Sequence, residues 1–160
     1  MTISRPEPVA RPAVDQPTLP SARGAEAHPV LRRVAAPPHA LELLRHAHRT
    51  LVHARSRQDP LERYATAHLA ALRATAAVLA VRGRPSSPRR RHAIRPAWEL
   101  LPEVAPELAE WAAYFAAGAR RRAAAEAGIT GAAGERDADD LIRNTALYLR
   151  IVERILALHP

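Results

Sequence analysis

The side chains best suited to chemistry in this sequence are its arginines. All 24 positively charged residues are Arg, none is Lys, and the formal net charge is +8. Arg bonds phosphate through two parallel N–H groups and also stacks on bases, so an Arg-rich surface suits nucleic acid. The densest cluster comprises Arg82, Arg84, Arg89, Arg90, Arg91, His92 and Arg95. Such a cluster neutralises phosphates largely without regard to base sequence, and we predict that it contacts nucleic acid.

Genomic base composition offers a second explanation of this charge. A chain rich in Ala, Arg and Pro and free of Lys is what a GC-rich genome encodes, whatever the protein binds. Residues 41–95 carry twelve Arg and three acidic residues, whereas residues 96–160 carry seven Arg and ten acidic residues. A solvated surface, or pairing with those acidic residues, therefore explains the basic clusters, including Arg120, Arg121 and Arg122, equally well. No aromatic residue interrupts residues 82–95, so we predict no base-stacking platform there.

The histidines and acidic residues do not follow a metal-binding pattern. His46 and His48 would lie about 200° apart on a helix and could not share one ion. Because His48 falls on a stripe of leucines, we predict that it packs in the core. The spacing of Asp137, Asp139 and Asp140 differs from that of a calcium loop, and acidic residues in a first helical turn are favoured by the helix dipole. The chain has no Cys, and we expect neither a metal nor another cofactor.

The glycine-rich stretch at residues 128–134 precedes a predicted helix, and helix N-termini bind anions. It lacks the Lys-Ser/Thr pair and the preceding strand of a phosphate loop. We therefore predict that it is a plain connector.

The elements that must position these residues are helices. Hydrophobic residues make up 48% of the chain, mainly Ala and Leu, and aromatic residues only 4%, a composition that favours helix over strand. Apolar periodicity and Pro/Gly punctuation predict helices at residues 38–57, 60–82, 88–101 (broken at Pro96), 106–127 and 137–158. The fold class is all-α, an up-and-down bundle of four to five helices over residues 37–160. Residues 1–36 are proline-rich and predict a disordered tail.

No targeting segment is evident at the N-terminus, and no apolar run reaches the length of a membrane span. We therefore expect a cytoplasmic protein that does not contact a membrane.

Several stretches together resemble the HEPN domain (higher eukaryotes and prokaryotes nucleotide-binding), in particular a small branch found in actinobacteria. They are PVLRR (residues 29–33), ERYATAHLAALR (62–73), AWELLPEVAPEL (97–108), GARRR (118–122) and DADDLIR (137–143). The resemblance implies a helical bundle. It also implies dimerisation and, in many members, metal-independent ribonuclease activity from an Arg followed after four to six residues by a His.

Arg143-Asn144 resembles the start of that motif. The positions where the resemblance requires His are Tyr148, Leu149 and Arg150, so the general acid/base is missing. Arg150 lies seven residues after Arg143 and shares its helix face, which predicts binding without cleavage.

Two other pairs fit the spacing of the motif, Arg63 with His68 and Arg154 with His159. Five residues of regular helix turn the chain by about 140°, so neither pair converges on one phosphate without a break. Arg154 and His159 lie at a chain end, whereas Arg63 and His68 lie in a stretch that resembles the family. Core packing of His68 and a surface role for Arg63 compete with catalysis.

The sequence therefore predicts a HEPN-like domain that binds RNA or another phosphate-bearing partner without cleaving it, with homodimerisation as a further expectation. The nucleic-acid-binding residues are expected to be Arg82, Arg84, Arg89, Arg90, Arg91, Arg95, Arg143 and Arg150. Two alternatives stay open. One is a ribonuclease that uses Arg63 and His68, with Arg143 as a further candidate. The other is a protein-interaction module of a toxin–antitoxin or stress-response pair, which predicts an exposed apolar groove.

Overall fold

The computed structural model describes residues 37–83 and 95–156. The predicted tail and the cluster members Arg84, Arg89, Arg90, Arg91 and His92 lie outside the described residues, as does His159.

The described residues form six α-helices and one 3-10 turn, with no strand among them. The all-α prediction is therefore confirmed. The helices are α1 (Pro38–Ser56), α2 (Pro60–Arg82), α3 (Ala97–Val104), α4 (Ala109–Ala117), α5 (Ala119–Glu126) and α6 (Glu135–Leu156), and the 3-10 turn at Pro106–Leu108 precedes α4.

Helix α2 lies at the centre of the fold and packs against α1, α3, α5 and α6. It begins where the sequence predicts, because the Asp59 carboxylate accepts a hydrogen bond from the Leu61 amide and Pro60 occupies the first helical position. Its buried face is made mainly of small side chains, among them Ala67, Ala71, Ala74 and Val78. Small side chains bring neighbouring helices close together on this face, whereas the larger Leu69, Leu72 and Leu79 beside it are only half-buried.

Helix α2 also has the length and composition that would suffice to cross a membrane, which the sequence analysis did not anticipate. In the fold, 56% of its most apolar window is buried among the other helices. Its apolar character is thus used in the core of the bundle.

The predicted helix at residues 106–127 is divided in two at Gly118, where α4 ends and α5 begins. This division raises the helix number above the predicted four to five. Helix α5 ends in a glycine cap: Gly128 has a φ of 71°, and the Ile129 amide donates to the Ala124 carbonyl. Helix α3 begins at Ala97, directly after the predicted break at Pro96, and continues through Pro102.

The core between α2, α4 and α6 is aromatic. The Phe115 ring stacks on Trp98 with 4.9 Å between centroids and lies 5.0 Å from the Tyr148 ring. Helix α6 contributes one continuous face, with Leu141, Thr145 and Val152 buried along it. This packing fixes the rotation of α6 about its axis and hence the direction in which each of its polar residues points.

Candidate functional site

The predicted basic cluster at residues 82–95 is described only at its two ends, and both ends are paired with acidic side chains. Arg82 forms an ion pair with Glu107. Arg95 binds Glu103 at 2.8 Å and Glu99 at 3.8 Å. These two guanidinium groups are therefore partly neutralised within the fold, which weakens the prediction that they form a free binding face.

Arg143 and Arg150 come together on α6. Both line a surface groove of about 540 Å³ between α6 and the end of α1, which we call the α6 groove. Its residues are Arg55, Asp139, Ile142, Arg143, Asn144, Ala146, Leu147 and Arg150. Three arginines thus face one aspartate. Arg55 was not predicted from the sequence, because it is the single residue that α1 contributes to the groove and no motif surrounds it.

Two of the three positions where the family motif would place His point away from the groove. Tyr148 and Leu149 are both 0% exposed. The Tyr148 hydroxyl lies 2.5 Å from Thr75 Oγ1 inside the core, and burial raises the pKa of Tyr148 to about 12. Only Arg150 is exposed to the groove.

Arg63 and His68 are separated, as their 140° spacing implies. The Arg63 guanidinium bonds Asp139 on α6 at 2.6 Å. His68 is 1% exposed and packs edge-on against the stacked rings of Trp98 and Phe115. The ribonuclease hypothesis required both side chains to face solvent in one cleft, and the fold gives that hypothesis no support.

The imidazole of His68 is nevertheless unusual. Its Nε2 donates to the Phe115 carbonyl at 3.0 Å, which leaves Nδ1 as an acceptor that has no partner among the described residues. Burial lowers the pKa of His68, and the Phe115 hydrogen bond offsets this only in part. A neutral ring is therefore held in the core.

His68 also lines a cavity that the sequence analysis did not predict. This cavity, of about 330 Å³, lies between α2, the α4–α5 junction and the start of α6, and we call it the junction cavity. Its lining residues are Tyr64, His68, Tyr114, Phe115, Ala117, Gly118, Arg121, Asp137, Asp140 and Leu141. Two of the three Tyr of the chain line it, but no motif or spacing in the sequence connects them.

The remaining candidates have structural roles. His48 is exposed and pairs with Glu153 of α6, so the prediction of a packed core histidine was wrong: α1 is rotated so that Ala47 and Leu51 fill the core instead. Asp137 accepts from the Gly134 amide at 2.9 Å, as expected of an acidic residue in a first helical turn.

The second basic cluster is largely paired, Arg121 with Asp137 and Arg122 with Glu126. Within the described parts of the chain, no group of three His, Cys, Asp or Glu side chains is placed to hold a metal ion.

Arg143 and Asn144, the residues that resemble the start of the HEPN motif, both line the α6 groove. The family model of SAV_6107-like HEPN domains matches residues 54–153, which is well over half of the chain, and the chain belongs to this family. HEPN domains have in general nucleotide- or RNA-related roles. No curated protein and no solved structure matches the chain significantly.

Proposed function

We propose that this protein binds RNA, or another phosphate-bearing partner, along the α6 groove and does not cleave it. The observation that carries the proposal is the convergence of Arg55, Arg143 and Arg150 on one groove. The family gives the general association with RNA, and the groove supplies the positive charge that a polyanion requires.

The groove arginines are available to an incoming phosphate. Arg55 and Arg150 are exposed, and within residues 37–83 and 95–156 neither forms an ion pair. Arg143 bonds Asp140 at 2.7 Å, but 72% of its side chain is exposed. An exposed pair of this kind contributes little to stability, so a phosphate can replace the carboxylate at little cost.

The absence of cleavage follows from the rotation of α6 about its axis. General acid–base catalysis by this motif needs an imidazole near the Arg143 guanidinium. Tyr148 and Leu149 are buried, and position 150 holds a guanidinium that stays protonated at all physiological pH values. The groove therefore lacks the imidazole that in this motif would accept the proton of the attacking 2′-hydroxyl.

The test is the salt dependence of binding to single-stranded RNA by the double variant Arg143→Gln/Arg150→Gln. If each arginine neutralises one phosphate, the slope of log affinity against log salt should fall by about 1.4, since each phosphate contributes about 0.7 on a single strand. The control is Arg45→Gln/Arg120→Gln, which removes the same charge from exposed positions outside the groove.

The control should keep the slope of the parent protein, and both variants should unfold within a degree or two of it. An unchanged slope in the groove variant would refute the proposal, as would metal-free cleavage of RNA by the parent protein.

Protein interaction is a second candidate for the same groove. Leu147 is 48% exposed at the groove, and Val52, one turn before Arg55 on α1, is 62% exposed. Together they give the surface an apolar component that a second copy of the chain or another protein could cover. Sedimentation of the parent protein and of Leu147→Asp, with and without RNA, separates this candidate from RNA binding. If the groove is an interface between copies, the parent protein without RNA should sediment as an oligomer and Leu147→Asp should sediment with a lower mass.

A further inference from the structure

The junction cavity has no part in the function proposed above, yet it has the features of a ligand site. Its volume of about 330 Å³ lies at the small end of protein ligand pockets, which span roughly 300–1,000 Å³. It exists partly because residue 118 is Gly: a Cβ there would lie 2.9 Å from the Tyr64 hydroxyl and 3.8 Å from Cδ2 of His68. A single small ring system fits this space.

The walls suit a flat aromatic ring. Tyr64, Tyr114 and Phe115 all line the cavity. The Arg121 guanidinium lies over the Tyr64 ring, 5.9 Å from its centroid, so this wall of the cavity carries a planar cation and a planar phenol. Bases stack on both kinds of surface.

The charges at the rim favour a neutral ligand over a cation. Asp137 is held by Arg121 at 3.1 Å, and Asp140 is held by Arg143 at 2.7 Å. Because a guanidinium already neutralises each carboxylate, an organic cation would meet no unpaired negative charge there. A neutral ring can instead donate N–H groups to lone pairs that the two carboxylates retain.

The acceptors select among the bases. Arg143 engages only Oδ1 of Asp140, and no hydrogen bond between described residues occupies its Oδ2. Guanine presents two adjacent donors, N1–H and the 2-amino group, whereas uracil presents a single N3–H. A carboxylate can accept both donors of guanine through its two oxygens, a bidentate contact that uracil cannot form.

Two contacts join the cavity to the α6 groove. Asp140 lines the cavity while its partner Arg143 lines the groove, and the Asn144 amide in the groove donates to the Tyr114 hydroxyl in the cavity at 2.8 Å. We propose that the junction cavity binds one unpaired guanine base of a single-stranded RNA whose phosphates lie on Arg143 and its neighbours. This inference rests on the function proposed above and adds the form of the RNA and a base preference to it.

The test compares the affinity of the protein, by fluorescence anisotropy at one low salt concentration, for short oligouridine and for the same strand with one central guanosine. The guanosine strand should bind about 5-fold tighter or more, as one bidentate base contact implies. Inosine lacks the 2-amino group, so a central inosine should recover only part of the gain. Adenosine should recover little, because its edge offers one donor beside an acceptor.

The variant Asp140→Asn replaces one acceptor oxygen by a donor, so the ratio of the two affinities should fall towards one. Glu135→Gln is the matched control: it makes the same change of charge on the same helix, outside the cavity lining, and should keep the ratio of the parent protein. Tyr114→Leu, at a 41% exposed position, should also lower the ratio, and its circular dichroism and melting temperature would show whether the fold is retained.

The outcomes separate the two proposals. Salt-dependent binding of both strands with equal affinity would overturn the guanine site and leave the α6 groove standing. Equal ratios in Asp140→Asn and the parent protein would likewise overturn it. Failure of any strand to bind would overturn both proposals.

Discussion

Replacing Tyr148 by His inserts the missing imidazole at a position that the family motif would accept, five residues after Arg143. The structure predicts that Tyr148→His gives no ribonuclease. Tyr148 is 0% exposed and points into the core, so the new imidazole would face Thr75 and the aromatic cluster instead of the α6 groove. The substitution should therefore cost stability without restoring chemistry.

The cost can be worked from the contacts of Tyr148. Its ring lies 5.0 Å from the Phe115 centroid and 5.5 Å from that of Trp111, and each such pair contributes about 0.5–1.5 kcal/mol beyond its buried area. The hydrogen bond to Thr75 contributes about 1 kcal/mol. Thr75 remains satisfied without it, because its hydroxyl also lies 3.0 Å from the Ala71 carbonyl. Because His is smaller than Tyr, it also leaves a void, and the total loss should be about 2–4 kcal/mol.

The measurement is reversible unfolding in urea, followed by circular dichroism, together with metal-free incubation of each variant with labelled RNA. For a domain of this size the loss corresponds to a fall in melting temperature on the order of 10 °C. Leu147→His is the control for stability, because this neighbour is 48% exposed and should change the free energy of unfolding by about 0.5 kcal/mol or less. A Tyr148→His protein as stable as the parent, or one that cleaves RNA, would refute the assigned rotation of α6.

Two further predictions concern the junction cavity. Burial lowers the pKa of His68, so the unfolded chain takes up a proton near pH 6.5 that the folded chain resists. The contribution of His68 to stability should therefore be fully present above about pH 6.5 and should fall as the pH drops. The fall should be at most about 1.4 kcal/mol per pH unit. In denaturant titrations from pH 7.5 to 5, His68→Leu should show a flatter profile than the parent, and equal profiles would contradict the assignment. Gly118→Ala should destabilise the protein by about 1 kcal/mol, because the new Cβ would meet the Tyr64 hydroxyl at 2.9 Å. The same change should cost less in a Tyr64→Phe background, and strictly additive costs would show that this contact is unimportant.

The bounds of the long helices could be predicted because their signals are local. Asp59-Pro60 starts α2, Gly128 ends α5, and the apolar period of α6 identifies its buried face. The rotation of α1 about its axis could not be predicted as well. Leu44, His48 and Leu51 fit one apolar stripe, but spacings of three and four residues define a helix face only to within about one residue. The structure buries Ala47 in place of His48. The burial of small side chains along α2 depends on how closely its neighbours approach, which no property of α2 alone determines.

In the candidate site, too, features set by one helix could be predicted and features that need several helices could not. Arg143 and Arg150 could be paired from sequence, because seven residues on one helix return to nearly the same face. Arg55 and the junction cavity could not be predicted, since each needs side chains from separate helices. The cavity in particular depends on the break at Gly118, which brings Arg121 of α5 towards Tyr64 of α2.

The spacing of the groove arginines also bears on why position 150 holds Arg. Seven residues advance a helix by about 10.5 Å, so the side chains at 143 and 150 stand two turns apart on one face. An imidazole at position 150 would therefore start far from the phosphate held by Arg143. To act there it would need a phosphate shared with a second copy of the chain. In the proposed function a guanidinium at the same place needs no such convergence, because it would bind the next stretch of backbone together with Arg55 across the groove. The packing that buries Tyr148 and Leu149 leaves one exposed position of the motif, and in the proposed function that position extends a phosphate-binding track instead of completing a catalytic pair.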